Sequence, residues 1–177
     1  MGNREKGFSL VELLIVVAII LIIAAIAIPN LLRSRIAANE SSAVSALRTI
    51  KTAQITYAAT FPTIGFAPDL LTLGPPGGGG LPDSTAADLI DRNLTIGIKS
   101  GYGFQDAGAT DNCDGANGRF AITVVRGLNV SFAVYACPVR QNRTGIRNFC
   151  TDDVGVIHEA KDPRSVCDFT PASPSIQ

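Results

Sequence analysis

Hydrophobic and polar positions divide this chain into three regimes. Positions 10–28 read LVELLIVVAIILIIAAIAI, apolar on every side with Glu12 as the only charge, and a run of about 20 such residues is what a helix needs to cross a bilayer. Its Ile and Val content is no obstacle, because a helix satisfies its own backbone hydrogen bonds in lipid or in a protein interior. Beyond Pro29 the pattern becomes one-sided. Ala43, Leu47, Ile50, Gln54, Tyr57 and Phe61 recur at alternating spacings near four and three, on one helical face with Gln54 as a polar interruption. Glu40, Ser41, Ser45, Arg48, Lys51 and Thr52 fall mostly elsewhere on the helix, and Pro62 and Gly65 end it. From Phe8 to Phe61 such a rod would approach ~80 Å. Pro29 removes a donor and crowds the carbonyl of Ala25, so a kink or local melting is expected over 24–29, with a simple bend as the plainer alternative.

The third regime alternates with period two. Arg119-Phe120-Ala121-Ile122-Thr123-Val124-Val125 and Val130-Ser131-Phe132-Ala133-Val134-Tyr135 flank Gly127-Leu128-Asn129, which predicts a hairpin; 145–150 and 155–159 flank Asp152-Asp153 as a second. Between helix and strands, Pro62 to Ser100 reads as loop: a helical turn over 69–73, a flexible Pro75-Pro76-Gly77-Gly78-Gly79-Gly80 connection, and a capped short helix over 83–93 with Leu89 and Ile90 inward. The glycine run lacks the Lys-Ser/Thr ending of a phosphate loop. The expected fold class is α+β, with an antiparallel sheet of about four strands laid over the amphipathic half of the helix, one face buried and the other solvated.

Composition narrows the function classes. Acidic and basic residues number 15 each, so no basic stripe marks a nucleic-acid surface. The single histidine, His158, sits beside Glu159, and no nucleophile elbow gives it a catalytic context; the two read as a surface pair, and no enzymatic activity or cofactor is expected. The four cysteines, Cys113, Cys137, Cys150 and Cys167, contain no C-x-x-C, which disfavours zinc. Asp111-Asn112-Cys113-Asp114-Gly115 and Asp152-Asp153 invite a calcium reading, but an EF-hand would need its bidentate acid near Ala121. Turn formation accounts for both clusters, and no metal is expected. Asn39, Asn93, Asn129 and Asn142 match N-x-S/T at a frequency that chance supplies.

The apolar run allows two readings on its own. Arg4 and Lys6, a greasy stretch and Ala25-Ile26-Ala27 as a cleavage site make a secretory signal, releasing a secreted binding domain; a retained anchor is the other. Charge does not orient it, since Arg33 and Arg35 balance Arg4 and Lys6.

Gly7-Phe8-Ser9-Leu10-Val11-Glu12 after a short basic leader resembles the class III signal of type IV prepilins, and Pro29-Asn30-Leu31-Leu32-Arg33-Ser34-Arg35 with Ala38-Asn39-Glu40 extends the similarity. The resemblance implies cleavage after Gly7, methylation of the new N-terminal Phe8, and Glu12 as the carboxylate that sets register between packed helices through the Phe8 amine. A headgroup-seeking Glu12 near the helix N-terminus is the plainer alternative. The resemblance further implies a leader over 1–7, a transmembrane and filament-core half over 8–29, an amphipathic half over 30–61, a loop region over 62–100 and a sheet region over 101–177. The partners it implies are copies of the chain, a prepilin peptidase that also methylates, an assembly ATPase and a platform protein. It places the chain in the inner membrane before assembly and outside the cell as a filament afterwards. A major pilin is the leading expectation, with a type II secretion pseudopilin or a minor pilin as alternatives. Folding the first hairpin brings Cys137 toward the loop of Cys113, which favours the pairs Cys113-Cys137 and Cys150-Cys167 among the three connectivities; the second would be similar to the C-terminal disulfide loop of many pilins.

Overall fold

The computed structural model describes residues 8–104, 119–160 and 175–176. Two compact units are present, Met1–Arg35 and Ile36–Gln177. The first helix, α1, covers Leu10–Thr60 and includes Pro29. Residues 24–29 are helical throughout; one missing donor is outvoted by the intact ladder on both sides.

In the first unit the large apolar residues of α1 are exposed on all sides, from Leu10 at 73% to Leu32 at 55%. By length and composition α1 contains a segment able to cross a membrane. In the second unit the one-sided stripe is buried as its spacing demands: Ala43, Leu47, Ile50, Gln54 and Tyr57 are all fully enclosed. Glu40 is buried with them, against the expectation that it lies off the stripe. Its position three residues before Ala43 continues the same spacing.

The loop region differs from its sequence reading in one segment. The helical turn forms as α2, Leu70–Leu73, capped by Asp69, whose carboxylate accepts from the Thr72 N–H. No helix forms over 83–91. The Asp83 carboxylate instead accepts from the Thr85 N–H and hydroxyl and from the Ala86 N–H, a local turn that competes with helix nucleation. The chain after it lies along α2, with the Ala87 and Leu89 N–H groups donating to the Thr72 and Leu73 carbonyls. The short helix comes later, as α3 over Arg92–Thr95, capped by Asp91. Ile90 is buried and Leu89 half-buried, so their inward placement holds without the helix.

The sheet contains β1 (Ile98–Lys99), β2 (Tyr102–Gly103), β3 (Arg119–Val125), β4 (Leu128–Pro138), β5 (Asn148–Asp152), β6 (Ile157–Ala160) and β7 (Ser175–Ile176). All neighbours are antiparallel, in the order β1-β2-β4-β5-β6-β7, with β3 also on β4. The four expected strands are β3 to β6; β1, β2 and β7 are too short to carry a periodicity. The first hairpin turns at Arg126-Gly127, with φ of 52° and 82°, the two left-handed residues of the turn that matches strand twist. Leu128 therefore belongs to β4, paired with Val125, and not to the loop.

Phe132, Val134 and Ala136 on β4 and Phe149 on β5 pack with the α1 stripe in one core. Gln54 is no flaw in it: its side-chain amide donates to the Ala67 carbonyl at 3.1 Å and accepts from the Ala67 N–H at 2.7 Å. The opposite sheet face is not simply solvated. Cys150 pairs across the strands with Tyr135 and His158, and Cys150, Asn148 and His158 are buried. His158 is thus not a surface residue.

Candidate functional site

Of the residues that the sequence singled out, Gly7 lies outside the described ones. Phe8 is exposed, and α1 starts two positions later. Ser9 stands at the cap position, and the Glu12 carboxylate accepts a hydrogen bond from the Ser9 N–H at 2.9 Å. That is one half of a capping box, the S-x-x-E spacing in which an acid in the first turn satisfies an orphan donor. The Ser9 carbonyl in turn accepts from the Leu13 N–H. The S-x-x-E spacing of Ser9 and Glu12 is the signal in the sequence for this cap. In the chain as it stands the carboxylate therefore has a partner of its own, next to the nitrogen that cleavage after Gly7 would turn into an amine.

A second polar constellation, missed in the sequence, lies within the second unit. The Glu40 carboxylate accepts from the backbone N–H groups of Ile146 and Arg147 at 3.0 and 3.1 Å and from the Arg147 guanidinium at 2.9 and 2.7 Å. Arg147 also donates to Glu159 at 2.6 Å and lies over the Phe149 ring. The Asn39 amide donates to the Thr144 carbonyl beside it, and the Tyr102 hydroxyl donates to the Arg147 carbonyl. Burial pushes the Glu40 carboxyl up. The hydrogen bonds from Ile146 and Arg147 together with the guanidinium charge outweigh burial and hold it below the usual carboxylate range. Burial, with the Glu40 charge nearby, pushes the Tyr102 phenol well above its usual range. This arrangement binds helix to sheet.

Cys137 and Cys150 are each disulfide-bonded; Cys113 and Cys167, the partners expected for them, lie outside the described residues, as does the 111–115 acidic loop. Among the described residues no three of His, Cys, Asp and Glu gather as a metal site would require. Of the N-x-S/T asparagines, the amides of Asn39 and Asn129 are engaged with the carbonyls of Thr144 and Phe66.

Residues 2–28 match the family model of the prokaryotic N-terminal methylation motif. The type IV major pilin protein PilA of Myxococcus xanthus is 44% identical over 73 residues, covering 37% of this chain and 33% of that protein. The type IV wide pilus major component PilA4 of Thermus thermophilus is 59% identical over 39 residues, covering 22% of this chain and 30% of that one. The chain thus spans about a third of the length of the curated relatives it matches. No solved structure matches. In its methylation motif and in these two partial matches the chain is similar to type IV pilins, and a long apolar helix followed by an antiparallel sheet accords with that likeness.

Proposed function

We propose that this chain is a structural subunit, a major pilin, of a type IV pilus filament. The observation that carries the reading is the motif Gly7-Phe8 with Glu12 at the head of a helix whose apolar residues are exposed on every side. A helix apolar all round needs surroundings, first lipid and then neighbouring helices, whereas the amphipathic half is already covered by the chain's own sheet. Both relatives are named as major components of their pili, which favours a major over a minor subunit.

In this reading the prepilin waits in the inner membrane as a single-pass protein. A prepilin peptidase cuts after Gly7 and methylates Phe8, and an assembly ATPase and platform protein move the subunit into the filament. Glu12 supplies register. Its carboxylate leaves the Ser9 N–H for the amine of a neighbouring Phe8, an ion pair in low dielectric that a one-residue slip would break. Pro29, with no N–H to hold the ladder, is where α1 yields if packing requires a bend. Disulfides Cys113-Cys137 and Cys150-Cys167 hold the head on the outside of the cell; in the chain-entropy model the second is worth ~3 kcal/mol. The function is assembly, with no chemistry of the chain's own.

Glu12→Ala tests it. The variant is expected to stay in the membrane fraction at normal abundance and to yield no sheared filaments. Filaments at normal yield would refute the register role.

A further inference from the structure

Two spans fit the apolar run, and they differ in where Glu12 and the basic residues lie. A span over 10–28 encloses the carboxylate and leaves Leu31 and Leu32, 56% and 55% exposed, outside the hydrocarbon. A span over 13–32 has about the same length of 20 residues and holds no charge. The local geometry favours the second. The Glu12 carboxylate is turned toward Ser9, back along the helix and away from the apolar run. An acid inside a span is unfavourable, less so near its end, and a headgroup position removes that cost.

At the other end, Arg33 and Arg35 are exposed, and neither forms an ion pair among the described residues. They stand two positions apart, on different sides of α1, so that one helix turn presents guanidinium groups in two directions. Ser34, between the arginines, donates its hydroxyl to the Asn30 carbonyl and so adds no unpaired donor. Long arginine stems let the charged heads reach phosphate while the helix stays centred.

We propose that the hydrocarbon layer takes in residues 13–32, with Glu12 in one headgroup layer and Arg33 and Arg35 as a collar binding the lipid phosphates of the other. The inference rests on the membrane reading above and adds its register. It has a consequence for processing: removal of the leader takes Arg4 and Lys6 with it, so the Phe8 amine and Glu12 balance at one end and the arginine collar is the remaining net charge grip.

The chain contains no tryptophan, so a single one reports depth without background. Full-length Leu13→Trp, Ile19→Trp, Ile22→Trp and Leu32→Trp variants are placed in vesicles of phosphatidylcholine and phosphatidylglycerol, with lipids brominated near the bilayer centre as quenchers. Ile22→Trp is expected to quench most, with Leu13→Trp and Leu32→Trp low and alike. A maximum at Ile19→Trp, with Leu13→Trp deeper than Leu32→Trp, would overturn the register while leaving the membrane reading intact. Absence of quenching at every position, with the chain in the soluble fraction, would instead overturn the membrane reading itself. With Arg33→Gln and Arg35→Gln added, Leu32→Trp should move deeper; unchanged quenching would overturn the collar. Inorganic phosphate in the buffer should leave every depth unchanged if lipid phosphate is the ligand, and a phosphate-dependent shift in the native collar would count against it.

Discussion

Removing the Glu40 carboxylate is the perturbation whose cost the structure defines best. Glu40→Ala deletes a buried acceptor of four hydrogen bonds. Two of the donors are the backbone N–H groups of Ile146 and Arg147, in part-buried bonds, so leaving them unpaired costs toward the lower end of about 1 to 3 kcal/mol. Breaking a fully buried ion pair from one side costs about 3 to 5 kcal/mol. The lower part of that range applies here, because the Arg147 side chain is 39% exposed and keeps Glu159. A loss of ~3 kcal/mol follows, equivalent to a drop of about 6 to 12 °C in Tm for a chain of this size. Glu40→Gln, which retains one acceptor for the backbone donors, should lose about half as much. The sign with pH is fixed by the direction of the shift. A carboxylate held below its unfolded value contributes stability that is complete above the unfolded pKa and disappears as pH falls through the folded one. The gap between the native chain and Glu40→Gln should therefore be full at pH 7 and close only as pH falls below the usual carboxylate range. The assay is thermal unfolding of the full chain in detergent micelles, followed by the tyrosine near-ultraviolet signal, at pH 7 and at low pH. A Glu40→Ala cost under ~0.5 kcal/mol, the range of ordinary surface substitutions, would refute the reasoning. So would a Glu40→Gln gap of the same size at low pH.

Two further outcomes are expected. Gly65 has φ of +84° and an added Cβ would lie 2.1 Å from the Asn129 carbonyl oxygen, so Gly65→Ala should cost at least ~2 kcal/mol in the same unfolding assay; a neutral effect would contradict the contact between the loop start and the hairpin tip. Peptide mapping of the non-reduced chain should find Cys113 with Cys137 and Cys150 with Cys167, and any other pairing would dismiss the proposed connectivity.

Much of the fold was legible because its long elements carry clean periods. The α1 stripe and the alternation in β3 and β4 each repeat often enough to fix a face. What escaped depends on pairing that a single segment does not encode. Glu40 reads as a solvated charge until Arg147, more than a hundred residues later, is brought against it. Gln54 reads as an interruption until the Ala67 backbone presents a donor and an acceptor side by side. The helix expected over 83–93 lost to the Asp83 turn, a local competitor that composition did not rank. At the N-terminus the sequence exposed the acid, and the structure added the direction in which it points.

The central claim is that the leader is a prepilin signal and that Phe8 heads the working subunit. Mass spectrometry of the N-terminal peptide of the chain purified from its own cells tests it most directly. The expected result is a peptide beginning at Phe8 with one added methyl group on its amine. A mature chain beginning at Ile28, or one that retains Gly7, would contradict it.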